Sequence, residues 1–190
     1  MQGGAQGGDM QARQADPSKT VAQVRDEGLG EGDKPDYFST KATIVYLKPD
    51  NLAYPACPNE GCNKKVIEEN GQWRCEKCDT VFGEPSYRYI FTVAVGDHTG
   101  QMWVQCFNEI GEQIFGRPAR EMVALQMADE NQFQKVVRDS MFQTYNFRCR
   151  ARAEVFNDVR RMRYTANRLS SIDYVKEAAN LSGLIDAYSN

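Results

Sequence analysis

Four cysteines between residues 54 and 83 constrain the fold of this chain more than any other feature. Cys57 and Cys62 form a C-x4-C pair, and Cys75 and Cys78 form a C-x2-C pair after twelve intervening residues. Two short cysteine-bearing turns joined by a hairpin offer four thiolates in the tetrahedral arrangement that Zn²⁺ prefers. The spacing therefore predicts one structural zinc ion per chain, held in a ribbon over residues 54–83.

The predicted site is closed, which argues against catalysis. Four thiolates fill a tetrahedral shell, whereas a catalytic zinc keeps one position open near a general base. The single histidine, His98, lies in a predicted tight turn outside the ribbon and is expected to be solvated. Cys106 and Cys149 fall on apolar strand faces and are expected to pack in the core. We therefore expect no enzymatic activity.

The N-terminal segment differs in composition from the rest of the chain. It is polar and rich in Gly and Gln, and the chain contains neither a secretory signal nor an apolar run of about 18 residues. We therefore expect a soluble intracellular protein with reduced thiols. Residues 1–36 are predicted to form a flexible linker or tail, with a weak amphipathic turn around Val21 and Val24, and the folded domain is expected to begin near Tyr37.

Alternation of apolar and polar residues predicts five strands, with helical patterns between the third and the fourth. The predicted order is that of an OB-fold barrel. It runs from one strand through a metal module, a hairpin and a helical stretch to a second hairpin. The sequence therefore predicts a mainly β protein, with a five-stranded OB-fold barrel over residues 37–170, an inserted four-cysteine zinc ribbon and a C-terminal α-helix. The predicted strands cover residues 40–47, 87–95, 101–107, 145–155 and 160–169, and the predicted helices cover 109–115, 118–127 and 131–141. Asn108 is the predicted N-cap of the first helix, and Gly116 is predicted to end it.

Two aromatic residues share one face of the strand over residues 101–107. If Met102, Val104 and Cys106 point into the barrel, Trp103 and Phe107 stand on its outer face, about 13 Å apart. Aromatic side chains at this spacing can stack nucleotide bases. The alternative is that a helix or another subunit covers one of them.

The second predicted hairpin combines arginines with an aromatic residue. Residues 141–170 hold seven arginines against two acidic residues, on a chain with a net charge of -3. Phe156 lies in the loop between the fourth and fifth strands, one of two loops with which an OB fold clasps a nucleic acid. This composition is typical of a single-strand groove, and a solvated charged hairpin is the alternative. The arginines predicted to contact DNA are Arg148, Arg150, Arg152, Arg160, Arg161 and Arg163.

Residues 171–190 are predicted to form a C-terminal helix with a broad apolar surface. Because a barrel closes its own core, this surface needs a partner, and the alternative is that it packs on its own barrel. The predicted subunit interface comprises Tyr174, Val175, Ala178, Leu181, Leu184, Ile185 and Tyr188.

The segments PDYFSTKATIVYL, CNKK, RCEKCDTVF and FND resemble the C-terminal single-stranded-DNA-binding domain of the replication protein A large subunit. The similarity covers about residues 20–190 and includes the position of the zinc ribbon between the first two barrel strands. It implies a nuclear heterotrimer that acts in DNA replication, repair and recombination, in which the last helix binds the middle and small subunits. Trp103, Phe107 and Phe156 match the family's stacking positions, the last of which is commonly tyrosine.

Two other functions fit the same residues. A zinc-ribbon adaptor that binds only proteins would show no salt-dependent binding of oligonucleotides. An OB module that reads RNA or duplex DNA would prefer those ligands over single-stranded DNA.

Overall fold

The computed structural model describes residues 16–188, except for the side chain of Phe156. Residues 1–15 of the predicted tail and the last two residues of the predicted C-terminal helix lie outside this range. The first half of the described chain forms, in order, α1 (Val21–Asp26), β1 (Asp36–Leu47), β2 (Ala53–Ala56), β3 (Ile67–Glu69), β4 (Gln72–Cys75) and β5 (Thr80–Phe82). The second half forms β6 (Ser86–Asp97), β7 (Gly100–Phe107), α2 (Asn108–Phe115), α3 (Ala119–Ala128), α4 (Glu130–Asp139), β8 (Thr144–Phe156), β9 (Val159–Ser171) and α5 (Tyr174–Tyr188).

Five of these strands close into a barrel. Their hydrogen-bonded order is β1, β8, β9, β7 and β6, and β1 also pairs with β6, which completes the circle. β7 and β9 run parallel, whereas the other barrel pairs are antiparallel, and β2 extends the free edge of β6. This is the strand arrangement of an OB fold. The prediction of a mainly β OB-fold barrel with a C-terminal helix is therefore confirmed.

The barrel interior contains the residues that strand alternation assigns to it. Val93 of β6, Val104 of β7 and Phe147 of β8 are fully buried, as are Cys106 and Cys149. Burial raises the pKa of Cys149 to about 12 and also raises that of Cys106, so both thiols stay protonated at neutral pH. These two cysteines are core residues, as predicted.

Helices α2, α3 and α4 lie between β7 and β8 in the chain, and α2 packs closely on β6. A Cβ atom on Gly111 would lie 2.5 Å from ring atoms of Tyr89, so only glycine permits this approach. Gly116 ends α2 in the left-handed conformation, with φ of 67°, as predicted. The N-cap differs from the prediction by one residue, because Phe107 holds that position and Asn108 is the first helical residue.

Residues 16–36 form an ordered segment, which we call the N-terminal strap. Val21 and Val24 of α1 are only 3% and 1% exposed and belong to the barrel core. The backbone carbonyl of Gly30 accepts a hydrogen bond from the Ala153 N–H at 2.9 Å. The prediction that residues 16–36 belong to a flexible tail therefore requires correction. Two valines one helical turn apart enter the core, although the average composition of the segment around them is polar.

Within residues 16–188, none of the helices combines the length and the apolar character that crossing a bilayer requires.

Candidate metal centre and nucleic-acid interface

The cysteine ribbon is a three-stranded antiparallel sheet inserted between β2 and β6. Cys57 follows β2, Cys75 ends β4, and Cys62 and Cys78 lie in the turns that come after them. Gly61 adopts a φ of 72° in the first turn, a conformation that glycine reaches without strain. The ribbon thus brings together two cysteine-bearing turns that are distant in sequence.

The four cysteine sulfurs all lie within 4.8 Å of one another. The Sγ atoms are 3.9 Å apart for Cys57 and Cys78, and also 3.9 Å apart for Cys62 and Cys75. Tetrahedral Zn–S bonds of about 2.3 Å place sulfurs about 3.8 Å apart, so the observed spacing fits this ion. The predicted clustering of these cysteines is confirmed, and their donor set is compatible with a metal.

The cysteines of the cluster differ in their pKa, and burial raises the pKa of the Cys57 thiol to about 12. The backbone N–H of Lys64 lowers the pKa of Cys62 to about 7, since it donates to the sulfur of the charged form. Val66 is buried beside the cysteines, with Trp73 and Phe82 packed against this small cluster. A core of this size is too small to hold a separate fold by itself, so a bound metal would contribute much of the ribbon's stability.

Trp103 and Phe107 lie on the outer face of β7. Their side chains are 56% and 40% exposed, whereas Met102, Val104 and Cys106 point into the barrel. The predicted orientation of this strand is therefore correct. Both rings therefore keep a solvent-accessible surface in the part of the chain that the structure describes.

A groove of about 420 Å³ lies between β7 and the end of the β8–β9 hairpin, and we call it the Trp103 groove. Trp103 and Gln105 line it from β7, and Arg161, Arg163 and Tyr164 line it from β9. An aromatic face, an amide and two guanidinium groups therefore share one concave surface. The remaining lining residues are Thr92, Glu154, Val155 and Met162.

The two arginines that line the groove differ in their ion pairs. The guanidinium of Arg163 lies 3.1 Å from the carboxylate of Glu154 across the hairpin. Arg161 has no ion-pair partner among the residues that the structure describes. Two guanidinium groups against the single carboxylate of Glu154 leave the lining of the groove with a net positive charge beside the indole of Trp103.

The other predicted arginines do not line the Trp103 groove. Arg148 pairs with Asp16 of the strap, which raises the pKa of Arg148, and Arg160 donates to the backbone carbonyl of Glu31. The Nε of Arg150 is buried without a hydrogen-bond partner among the described residues. Arg152 lies opposite Arg163 in the hairpin register and is exposed. The structure thus divides the six arginines into two in the groove and four outside it.

The turn of the β8–β9 hairpin is a tight two-residue loop. Asn157 and Asp158 adopt φ values of 49° and 58°, and the backbone of Phe156 pairs with that of Val159. Two successive left-handed residues match a type I′ turn, which asparagine and aspartate tolerate. The side chain of Phe156 lies outside the described residues, so its predicted role in stacking stays a prediction.

Tyr46 lies beside the candidate interface, although the sequence did not single it out. Its ring contacts Trp103 edge to face, with centroids 6.0 Å apart and an interplanar angle of 86°. Alternation along β1 groups Tyr46 with Ala42 and Ile44, which are buried, so no sequence signal indicates its exposed position. Tyr164, half-buried on β9, is a second groove residue that the sequence analysis did not identify.

Helix α5 stands apart from the barrel core. None of its residues is buried, and Glu177 forms an ion pair with Lys41 of β1. Packing of its apolar side on the barrel would bury these side chains, and none of them is buried in the part of the chain that the structure describes. All seven side chains predicted to form a subunit interface are exposed, namely Tyr174, Val175, Ala178, Leu181, Leu184, Ile185 and Tyr188.

Comparison with known proteins points to one family. The family model "Replication factor-A C terminal domain" matches residues 37–181. Replication factor A protein 1 of Schizosaccharomyces pombe is 44% identical over 169 residues, which are 89% of this chain and 28% of that protein. Its namesake in Saccharomyces cerevisiae is 45% identical over 164 residues, which are 86% of this chain and 26% of that protein. The chain therefore spans about a quarter of the length of these curated relatives.

A solved structure described as a replication protein A heterotrimer bound to single-stranded DNA contains a chain with the same fold. The TM-score is 0.87 at 44% sequence identity, over 91% of this chain and 40% of the other. A sequence identity of 44% indicates membership of the same family, and not only the same OB fold.

Proposed function

This chain belongs to the replication factor-A C-terminal domain family, and we propose that it binds single-stranded DNA in the Trp103 groove. The observation that carries this proposal is the placement of an exposed indole beside Arg161 and Arg163 in one open groove. A base stacks on the aromatic face while the guanidinium groups hold the adjacent phosphates. The solved relative bound to single-stranded DNA supports the same ligand.

Binding of this kind tolerates many sequences. Every base has a π-face, so stacking on Trp103 requires no particular pattern of hydrogen bonds. Phe107 provides a second platform on the same strand, and Phe156 is proposed as a third at the hairpin turn. The arginines outside the Trp103 groove, Arg148, Arg150, Arg152 and Arg160, extend the phosphate contacts along the hairpin.

The metal that we assign to the ribbon is Zn²⁺, one per chain, held by Cys57, Cys62, Cys75 and Cys78. The spacing of the sulfurs supports this assignment. Four thiolates leave no open coordination position, so the ion stabilises the ribbon and takes no part in a reaction. The chain is proposed to act as a binding module, without enzymatic activity.

We further propose that the chain works within a heterotrimer in the nucleus, in DNA replication, repair and recombination. The exposed apolar side of α5 is suited to pack against helices of the middle and small subunits. The solved relative, a replication protein A heterotrimer, supports this assembly.

A competition titration tests the proposed ligand. The zinc-loaded chain is mixed with labelled oligothymidylate of about 16 nucleotides, the upper end of the range that one OB fold covers. Unlabelled single-stranded DNA, duplex DNA and RNA of equal length then compete for binding. We expect single-stranded DNA to compete best and affinity to fall steeply with salt. A preference for duplex or RNA, or an absence of binding at low salt, would contradict the proposal.

A further inference from the structure

A β-bulge in β1 turns Tyr46 out of the barrel. Ile44 pairs with Val95 of β6, but the next partner, Ala94, pairs with Tyr46, so two residues of β1 oppose one residue of β6. The bulge keeps both Ile44 and Leu47 in the core while Tyr46 is 47% exposed. Bulges commonly redirect a side chain in this way next to functional sites.

The bulge brings Tyr46 into line with Trp103 across three strands. Ala94 of β6 pairs with Tyr46 on one side and with Trp103 on the other. Its side chain is a single methyl group and is 4% exposed, so it fits beneath the two rings that meet edge to face. A large side chain at this position would separate them.

The indole of Trp103 lies at an open surface of the barrel. It borders open space in the Trp103 groove and in a second cavity of about 250 Å³ beside α1. Among the described residues, Tyr46 is the only aromatic ring in contact with the indole. Tyr46 lines neither cavity, so the face that Trp103 presents to the groove stays free. An edge-to-face pair of this kind contributes binding free energy by fixing the ring before the ligand arrives.

We propose that Tyr46 is a positioning residue, which holds the indole of Trp103 in the orientation that stacks a base. It acts through Trp103 and makes no contact with DNA itself. This inference rests on the proposed function, because a positioned platform matters only if Trp103 stacks bases.

A double-mutant cycle in the zinc-loaded chain tests the inference, with oligothymidylate of about 16 nucleotides as the ligand. Tyr46→Ala should weaken binding roughly two- to tenfold, as expected for loss of one aromatic pair. In a Trp103→Ala background, Tyr46→Ala should cause no further change. Tyr46→Phe keeps the ring and should bind like the wild type. Phe142→Ala removes an aromatic ring that is 72% exposed and lies outside the Trp103 groove, and it should leave affinity unchanged.

A spectroscopic measurement separates positioning from a general loss of structure. In a Trp73→Phe background, Trp103 is the sole tryptophan of the chain. Time-resolved fluorescence anisotropy of the free protein should show faster local motion of Trp103 in Tyr46→Ala than in Tyr46→Phe. Circular dichroism and zinc content should be the same in both variants.

The outcomes separate the two proposals. If Trp103→Ala weakens binding but Tyr46→Ala does not, the positioning role is wrong and the groove assignment stands. If the two losses add in the double variant, Tyr46 touches DNA directly, which also overturns the inference. If Trp103→Ala leaves affinity unchanged, the stacking platform and its positioning residue are both wrong.

Discussion

The carboxylate of Asp16 pairs with the guanidinium of Arg148, which ties the N-terminal strap to the outer face of the β8–β9 hairpin. A second contact between the strap and the hairpin lies near the hairpin end, where Arg160 donates a hydrogen bond to the backbone carbonyl of Glu31. The strap therefore supplies oxygen acceptors to two of the arginines that are proposed to meet phosphates. Any phosphate contact by Arg148 must compete with Asp16.

Asp16→Asn should strengthen DNA binding at low salt. Loss of the carboxylate frees the guanidinium of Arg148 for a phosphate, and solvent around this half-exposed arginine already weakens the ion pair that is lost. If Arg148 then gains a phosphate contact, the slope of log K against log salt should become steeper by roughly 0.7. Fluorescence anisotropy titrations at several salt concentrations measure both quantities. An unchanged slope would show that Arg148 binds the strap and makes no phosphate contact.

Trp103→Ala and Phe107→Ala should each weaken single-stranded DNA binding by roughly 1–3 kcal/mol, because each removes a stacking platform. Phe142→Ala is the matched control, since Phe142 is 72% exposed and lies before β8, outside the Trp103 groove. Isothermal titration calorimetry measures the affinities. Full affinity in both β7 variants would show that this face does not stack bases.

Arg161→Gln and Arg163→Gln should each lower the salt slope by roughly 0.7, because each loses one phosphate contact. The loss should be nearly independent of base sequence, since phosphates carry no sequence information. Arg120→Gln provides the control, because Arg120 is exposed and pairs with Glu84 at 3.0 Å, away from the groove. If the groove variants keep the wild-type slope, these arginines are solvated and do not contact phosphates.

One equivalent of zinc should copurify with the chain, and Cys75→Ser should reduce this content sharply and unfold the ribbon. Because each thiol must lose its proton to bind the metal, zinc affinity should fall as the pH is lowered. Elemental analysis and a chromogenic chelator measure content and affinity. Cys106→Ala should retain its zinc, since Cys106 lies in the barrel core. A wild-type chain with much less than one equivalent would contradict the assignment.

Removal of residues 172–190 should abolish assembly with the middle and small subunits while the barrel stays folded. None of the α5 residues is buried, and the ion pair between Lys41 of the barrel and Glu177 of the helix is open to solvent and contributes little. Copurification measures assembly, and thermal unfolding, zinc content and DNA affinity measure the state of the domain. A truncated chain that still forms a stable heterotrimer, or that loses its zinc and its fold, would show that the helix has another role.

Local patterns determined much of this protein from its sequence. The C-x4-C and C-x2-C spacing identified the cysteine cluster, because the ligands of each pair lie within one turn of chain. Alternation along β7 assigned Trp103 to the outer face, because side chains of a strand point alternately to opposite sides. Gly116 marked the end of α2, because glycine reaches the left-handed conformation without strain. Each of these features depends on residues close together in the chain.

Only the tertiary structure decided which distant residues meet. Tyr46 leaves the core because a bulge forms when β1 pairs with β6, and no local pattern in β1 encodes that register. Val21 and Val24 enter the core because the barrel offers them an apolar surface, although the segment around them is polar. Arg161 reaches the Trp103 groove because β9 runs beside β7, which is remote in sequence. Periodicity assigns a side chain to one face of its strand, whereas strand pairing determines its neighbours.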